Sequence, residues 1–157
     1  IAGPEEAWPV AVQQALNMAR VQARQMGFDA ALYNGVHCNL YADGDASVQP
    51  HADRETDMQR GLPIFSFTLL SGDVLKPRAF SIFKPAAMEL GADGKRVKRP
   101  PTKIADLVLG HGDLVVMCGS MQSDYLHGVE KAKPPGAFKA ARRLNLTVRA
   151  YKKSVTG

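Results

Sequence analysis

The sequence predicts a mainly β (α+β) fold, a jelly roll of two sheets with one N-terminal helix packed on one sheet. One amphipathic helical segment is followed, after Gly27, by about eight short β-type runs separated by turn-forming residues. No helical pattern alternates with those runs, which argues against a doubly wound α/β sheet. The length of 157 residues suits a single domain covering residues 1–157.

The helix is predicted over residues 8–26. Pro9 suits the first turn of a helix, and Gly27 is a natural stop. Apolar side chains recur at helical spacing, which predicts that one face packs against a sheet. They are Val12, Leu16, Ala19, Ala23 and Met26.

The jelly-roll core is predicted to span residues 28–151. Its β-type runs are separated by turn formers such as Asp43-Gly44 and His111-Gly112. The runs cover residues 30–41, 47–53, 64–70, 79–83, 104–109, 113–118, 124–129 and 142–151. Residues 91–103 are predicted to form a long basic surface insertion.

The composition is that of an ordinary globular protein, with 45% hydrophobic and 22% charged residues. The longest apolar run, residues 62–70, is too short to span a bilayer. The chain begins with Ile rather than Met and shows no secretory signal, which favours a trimmed or processed intracellular chain. We expect no membrane association and favour a monomer. Cys38 and Cys118 lack zinc-site spacing and are predicted to be buried free thiols.

Three residues form a candidate metal-ligand set. His51 and Asp53 are two residues apart in a β-type run, so their side chains share a face. With His127 from another strand they would supply two imidazoles and one carboxylate, the ligands of non-haem Fe(II) sites with open positions. An H-x-D triplet also arises by chance, and a single histidine in an apolar stretch is more often structural.

The run from Arg143 to Arg149 alternates strictly between two faces. One face carries Arg143, Asn145, Thr147 and Arg149, and the other carries Leu144, Leu146 and Val148. An ordinary surface strand is the simpler interpretation. However, Asn is disfavoured in strands, and Arg offers a planar fork that matches a carboxylate. If this face lines a barrel, a bound dicarboxylate would neutralise its arginines, and Asn39 and Tyr41 could join the same pocket.

These motifs, in this order, resemble the AlkB family of Fe(II)/2-oxoglutarate-dependent dioxygenases over most of the chain, from about residue 28 to 149. The matching segments are Asn39-Leu40-Tyr41, Asp43-Gly44, His51-Ala52-Asp53, Pro63-Ile64, Arg78-Ala79-Phe80, residues 111–117, Gln122, Tyr125, His127-Gly128-Val129 and residues 143–149. The last segment is the most specific, because the family closes on nearly the same heptad.

The resemblance implies a double-stranded β-helix, an Fe(II) cofactor, 2-oxoglutarate as co-substrate, and O2. Iron would be held by His51, Asp53 and His127, and 2-oxoglutarate by Asn39, Tyr41, Arg143, Asn145 and Arg149. The implied reaction is oxidative demethylation of N-alkylated bases in DNA or RNA, as in DNA repair or RNA modification, with release of formaldehyde, succinate and CO2. The same site could instead hydroxylate a protein or small molecule. An interaction domain that has lost activity is disfavoured, because a decayed site has no need for a polar interior.

Substrate contacts are indicated at two places. In several relatives an acidic residue two positions after the H-x-D aspartate contacts the exocyclic amine of the base; here that residue is Glu55, which could equally be a solvated loop carboxylate. A basic run suits phosphate contact, although such runs are usually solvated loops. It comprises Lys95, Arg96, Lys98, Arg99 and Lys103. Family members usually carry an N-terminal nucleotide lid. From the resemblance we expect this chain to begin where such a lid would end, whether by trimming or by nature, and the basic insertion could replace part of it.

Overall fold

The computed structural model describes residues 4–71, 78–90, 95–132 and 142–152. The helices are α1 (Val10–Gln25) and the short α2 (Met121–Asp124). The strands are β1 (Gly35–Tyr41), β2 (Val48–His51), β3 (Ile64–Leu70), β4 (Ala79–Lys84), β5 (Met88–Leu90), β6 (Arg96–Lys98), β7 (Thr102–Val108), β8 (Leu114–Met117), β9 (Leu126–Val129) and β10 (Arg143–Arg149).

Eight of these strands form two antiparallel four-stranded sheets, in the orders β1-β10-β3-β8 and β2-β9-β4-β7. Strands distant in sequence therefore lie side by side within each sheet. This interleaved order is that of a jelly roll, and the predicted mainly β fold is confirmed.

Helix α1 packs on the first sheet, as predicted. Its buried positions follow helical spacing, and they lie in one apolar cluster with Phe65, Leu146 and Val148 of that sheet. The helical members of this cluster are Val12, Ala15, Leu16, Ala19 and Ala23. The apolar face of β10 therefore meets the helix, and its polar face is turned into the space between the sheets.

The eight predicted β-type runs each contain a strand, but two of them also contain a helical turn. Residues Ala30–Leu32 form a 3-10 turn before β1, and residue 124 belongs to α2. The hairpin of β5 and β6 was not predicted, and it occupies part of the expected surface insertion. Residues 91–94 of that insertion lie outside the described residues.

The prediction of buried cysteines is wrong, although the prediction of free thiols holds: both Cys38 and Cys118 are exposed. Cys38 shares the outer face of β1 with Val36, but β1 is an edge strand and α1 does not cover it this far. Cys118 follows the end of β8. Among the described helices, none has the length and apolar character needed to cross a membrane.

Candidate active site

The two histidines of the candidate metal set face each other across adjacent strands. His51, the last residue of β2, is paired in register with His127 of β9, and their ring centroids are 4.5 Å apart. Gly128 makes this approach possible, because a Cβ atom there would lie 2.7 Å from the carbonyl oxygen of Val48. The close packing of β2 on β9 therefore brings the two imidazoles together.

Asp53 completes the set. Its Oδ1 atom lies 3.5 Å from Nε2 of His51 and 3.8 Å from Nε2 of His127. Ligand atoms of all three residues lie within 4.8 Å of one another. The spacing of His51 and Asp53 predicts a shared strand, but β2 ends at His51, so the carboxylate is presented from the following loop.

Hydrogen bonding and burial set the protonation of these groups. His51 Nδ1 lies 2.9 Å from the carbonyl oxygen of Gln49, and donation to that oxygen leaves Nε2 free to act as a ligand. The hydrogen bond with Asp53 raises the pKa of His51. Burial opposes ionisation of Asp53, but the hydrogen bond from His51 and the charge of Arg149 outweigh it and lower its pKa. Burial lowers the pKa of His127 to about 4, so its imidazole is neutral, as a ligand must be.

The residues present fit a divalent metal. Asp53 Oδ2 is buried without a hydrogen-bond partner among the described residues. Buried polar atoms in native proteins are nearly always paired, so this oxygen suits a site that a cation completes. Two imidazoles and one carboxylate are the donor set of open non-haem Fe(II) centres.

The polar face of β10 lines the same cavity. Arg143 is 2% exposed, yet no carboxylate of a described residue pairs with it. Its Nη2 donates to Thr68 Oγ1 at 3.2 Å, its guanidinium lies 5.6 Å from the centroid of the Tyr41 ring, and its Nε has no partner among the described residues. Burial lowers the pKa of Arg143. A buried and uncompensated guanidinium is costly, which makes this position suited to an anionic ligand.

Arg149, unlike Arg143, contacts two carboxylates. Its Nη2 lies 2.9 Å from Asp53 Oδ1, and its Nη1 donates to Glu55 Oε1. Glu55 is therefore connected to the site by its contact with Arg149. Its own side chain, 42% exposed, borders a neighbouring cleft together with His37 and Tyr151.

The cavity brings together all eight residues predicted to hold the metal and the co-substrate. Its lining includes Asn39, Tyr41, His51, Asp53, His127, Arg143, Asn145 and Arg149. Sequence reasoning did not identify Phe80, whose ring stacks on His127 at 5.2 Å, or Ser66, which exchanges hydrogen bonds with Asn145. Phe80 lies in a motif noted for its family resemblance, but nothing in the sequence indicated which ring it would meet.

The basic side chains of the predicted insertion differ in their surroundings. Lys103 forms ion pairs with Glu130 and, at 3.3 Å, with Asp106, so two carboxylates already compensate its charge. Arg96 lies on the exposed hairpin strand β6. The side chain of Lys98 lies outside the described part of the structure.

The chain belongs to the 2OG-Fe(II) oxygenase superfamily, whose sequence profile matches residues 3–149. This family uses Fe(II) and 2-oxoglutarate, in agreement with the residues that converge in the cavity. Within it, the predicted AlkB resemblance is confirmed by similarity to alpha-ketoglutarate-dependent dioxygenase alkB homolog 3. The rat protein (Rattus norvegicus) is 31% identical over 117 residues (74% of this chain and 35% of the relative), and the human protein is 32% identical over 117 residues (74% and 36%).

The chain spans about a third of the length of these curated relatives. A crystal structure of a Pseudomonas putida prolyl-4-hydroxylase is similar with a TM-score of 0.47 and 18% identity, covering 94% of this chain and 68% of that one.

Proposed function

We propose that this chain, as a single catalytic domain, removes N-alkyl groups from bases in DNA or RNA by oxidation, with Fe(II), O2 and 2-oxoglutarate. The products are formaldehyde, succinate, CO2 and the repaired base. One observation carries the proposal: two histidines and a carboxylate converge within 4.8 Å beside a buried arginine that no described carboxylate neutralises. Such a cavity has a place for a divalent cation and a place for an organic anion.

The metal is held by His51, Asp53 and His127 in this proposal. When bound, Fe(II) would activate O2, the oxidant, with 2-oxoglutarate as the co-substrate that is oxidised to succinate and CO2; side chains alone lack this chemistry. The protein contributes placement. The Gln49 carbonyl fixes the tautomer of His51, and burial lowers the pKa of His127 and keeps it neutral. The hydrogen bond from His51 and the charge of Arg149 lower the pKa of Asp53 and favour its ionised form.

Arg143 binds one carboxylate of 2-oxoglutarate. Its fixed fork suits bidentate recognition, and at 2% exposure its guanidinium is little screened by solvent. Asn39, Tyr41 and Asn145 surround the same ligand with amide and phenol groups. Arg149 assists from the metal side, where it also holds Asp53.

The nucleic-acid substrate is supported by three features: the similarity to alkB homolog 3, the net charge of +5, and Glu55 beside the site. We propose that Glu55 contacts the target base. Exposed basic residues of the β5–β6 hairpin would contact phosphates. A net positive charge suits a polyanion, and phosphate contacts position the strand without reading its sequence.

The proposal is tested by incubating the protein with Fe(II), 2-oxoglutarate and a panel of methylated DNA and RNA oligonucleotides, with release of succinate as the readout. We expect release to exceed the oligonucleotide-free rate for at least one methylated base, and to fall when the same oligonucleotide lacks the methyl group. Stimulation by peptides or small molecules alone would instead support a hydroxylase of another substrate class.

A further inference from the structure

The position of Asp53 is not explained by the sheet that carries the two histidines. The register of β2 with β9 ends at the pair His51 and His127. Asp53 follows on a loop, yet it is buried. Arg149 contacts the carboxylate itself, but the backbone of the loop needs a restraint of its own if the carboxylate is to stay beside both imidazoles.

The described contacts supply that restraint from the segment around α2. The side-chain oxygen Oε1 of Gln122 accepts a hydrogen bond from the backbone N–H of Asp53 at 2.7 Å. The amide nitrogen Nε2 of Gln122 lies 3.5 Å from the sulfur of Met117. With its nitrogen turned to Met117, Gln122 presents its oxygen to Asp53.

Arg54 also joins the loop that carries Asp53 to the segment around α2. Its Nε donates to the carbonyl oxygen of Gln122, and its Nη2 donates to that of Ser123, both at 2.9 Å. The joined segments are about 69 residues apart in sequence. Ser123 lies only four residues before His127. Three hydrogen bonds thus tie the loop carrying Asp53 to the segment that leads into the second histidine.

We propose that Gln122 and Arg54 are positioning residues for the metal centre: they hold Asp53 and the approach to His127 together before the metal binds. The inference rests on the proposed function, because it requires Asp53 and His127 to be metal ligands. A preorganised set of ligands loses less freedom on binding than a mobile one. Groups that orient metal ligands typically change metal affinity by about 10–100-fold when they are removed.

The test is titration of the metal-free protein with Co(II). The readouts are the Co(II) affinity and the visible absorption of the bound ion. The thermal unfolding midpoint of each metal-free protein is measured as the control for stability. Gln122→Leu removes the acceptor at similar size, and Gln122→Glu keeps an oxygen acceptor. We expect Gln122→Leu to weaken Co(II) by about tenfold or more. Gln122→Glu should retain most of the affinity, and the midpoint without metal should change little in either variant.

Arg54→Met removes the hydrogen bonds but keeps an apolar stem, and it should also weaken Co(II). Arg60→Met is the matched control, because Arg60 lies on the same exposed loop and has no hydrogen bond or ion pair with a described residue. It should bind Co(II) as the parent protein does. If Gln122→Leu does not fold, Arg54→Met against Arg60→Met decides the question.

Unchanged Co(II) affinity in both Gln122→Leu and Arg54→Met would overturn the inference. An equal loss of Co(II) affinity in Gln122→Leu and Gln122→Glu would also overturn it, because it would indicate a packing effect. His127→Ala separates this failure from failure of the proposed function. If the parent and His127→Ala bind Co(II) equally, the ligand assignment itself is wrong. If His127→Ala loses Co(II) binding while Gln122→Leu and Arg54→Met keep it, the ligand assignment is retained and the positioning role of Gln122 and Arg54 is rejected.

Discussion

Nη2 of Arg149 lies 2.9 Å from Oδ1 of Asp53, the same carboxylate oxygen that faces the Nε2 atoms of both site histidines. Arg143, on the same strand face, is buried without a carboxylate partner among the described residues. The two arginines that looked equivalent in the sequence therefore have different surroundings. One is bound to a metal-ligand carboxylate, and the other has a place for an external anion.

This difference predicts different effects of substitution. Arg143→Met should weaken 2-oxoglutarate by about tenfold or more, since a charge-assisted hydrogen bond contributes roughly 1.5–3 kcal/mol, and should leave Co(II) affinity unchanged. Arg149→Met should also weaken 2-oxoglutarate, and unlike Arg143→Met it should change Co(II) affinity, because it removes the contact that holds Asp53 Oδ1. Calorimetric titration measures the two affinities separately. Arg143→Lys should restore 2-oxoglutarate binding only in part, because Lys lacks the planar fork. Full 2-oxoglutarate affinity after removal of both arginines would reject the assignment.

The burial of His127 predicts a pH dependence of stability for the metal-free protein. Its pKa falls from 6.5 to about 4 on folding, so between these pH values the unfolded chain binds a proton that the folded chain does not. Stability should therefore decrease as pH falls from 6.5 towards 4, by about 3 kcal/mol from this residue. Urea unfolding across this range should be less pH-dependent in His127→Gln than in the parent protein. Parallel curves for the two proteins would contradict the prediction.

The fold and part of the site could be predicted because their signals lie in short stretches of sequence. Alternation from Arg143 to Arg149 indicated a polar inner face, and the two-residue spacing of His51 and Asp53 indicated two ligands on one side. His127 was joined to them by the order of the motifs along the chain. Three features could not be predicted in this way: the exposure of Cys38, the β5–β6 hairpin, and the contact of Arg149 with Asp53. Each depends on which distant element covers or approaches a residue, and periodicity within a strand does not encode that.

The basic insertion predicts a salt-dependent affinity for oligonucleotides. Replacing Lys95, Arg96, Lys98 or Arg99 with Gln should flatten the plot of log affinity against log salt by about 0.7–0.9 for each phosphate that the side chain no longer neutralises. Lys103→Gln should change this slope less than Arg96→Gln does, because Glu130 and Asp106 already pair with Lys103. Fluorescence anisotropy at several salt concentrations measures the slope. A slope that none of the five substitutions alters would leave the insertion as an ordinary solvated surface.

Glu55 should act on the choice of base rather than on overall affinity. Glu55→Gln keeps the size of the side chain but removes its charge and its ion pair with Arg149. We expect it to change the ranking of methylated bases in competition assays at saturating oligonucleotide, with no change in the salt slope. Asp57→Asn, on the same exposed loop, is the control for a general charge effect. If both variants keep the ranking of the parent protein, Glu55 has no part in base selection.

The most direct test of the proposed activity is mass spectrometry of a methylated oligonucleotide after incubation with Fe(II) and 2-oxoglutarate, comparing the parent protein with folded His127→Ala. We predict loss of the methyl group by the parent protein, with formaldehyde equal in amount to the succinate released above the oligonucleotide-free background, and none of these products from His127→Ala. Demethylation that persists in His127→Ala, or succinate release without loss of a methyl group from any oligonucleotide in the panel, would contradict the proposed activity.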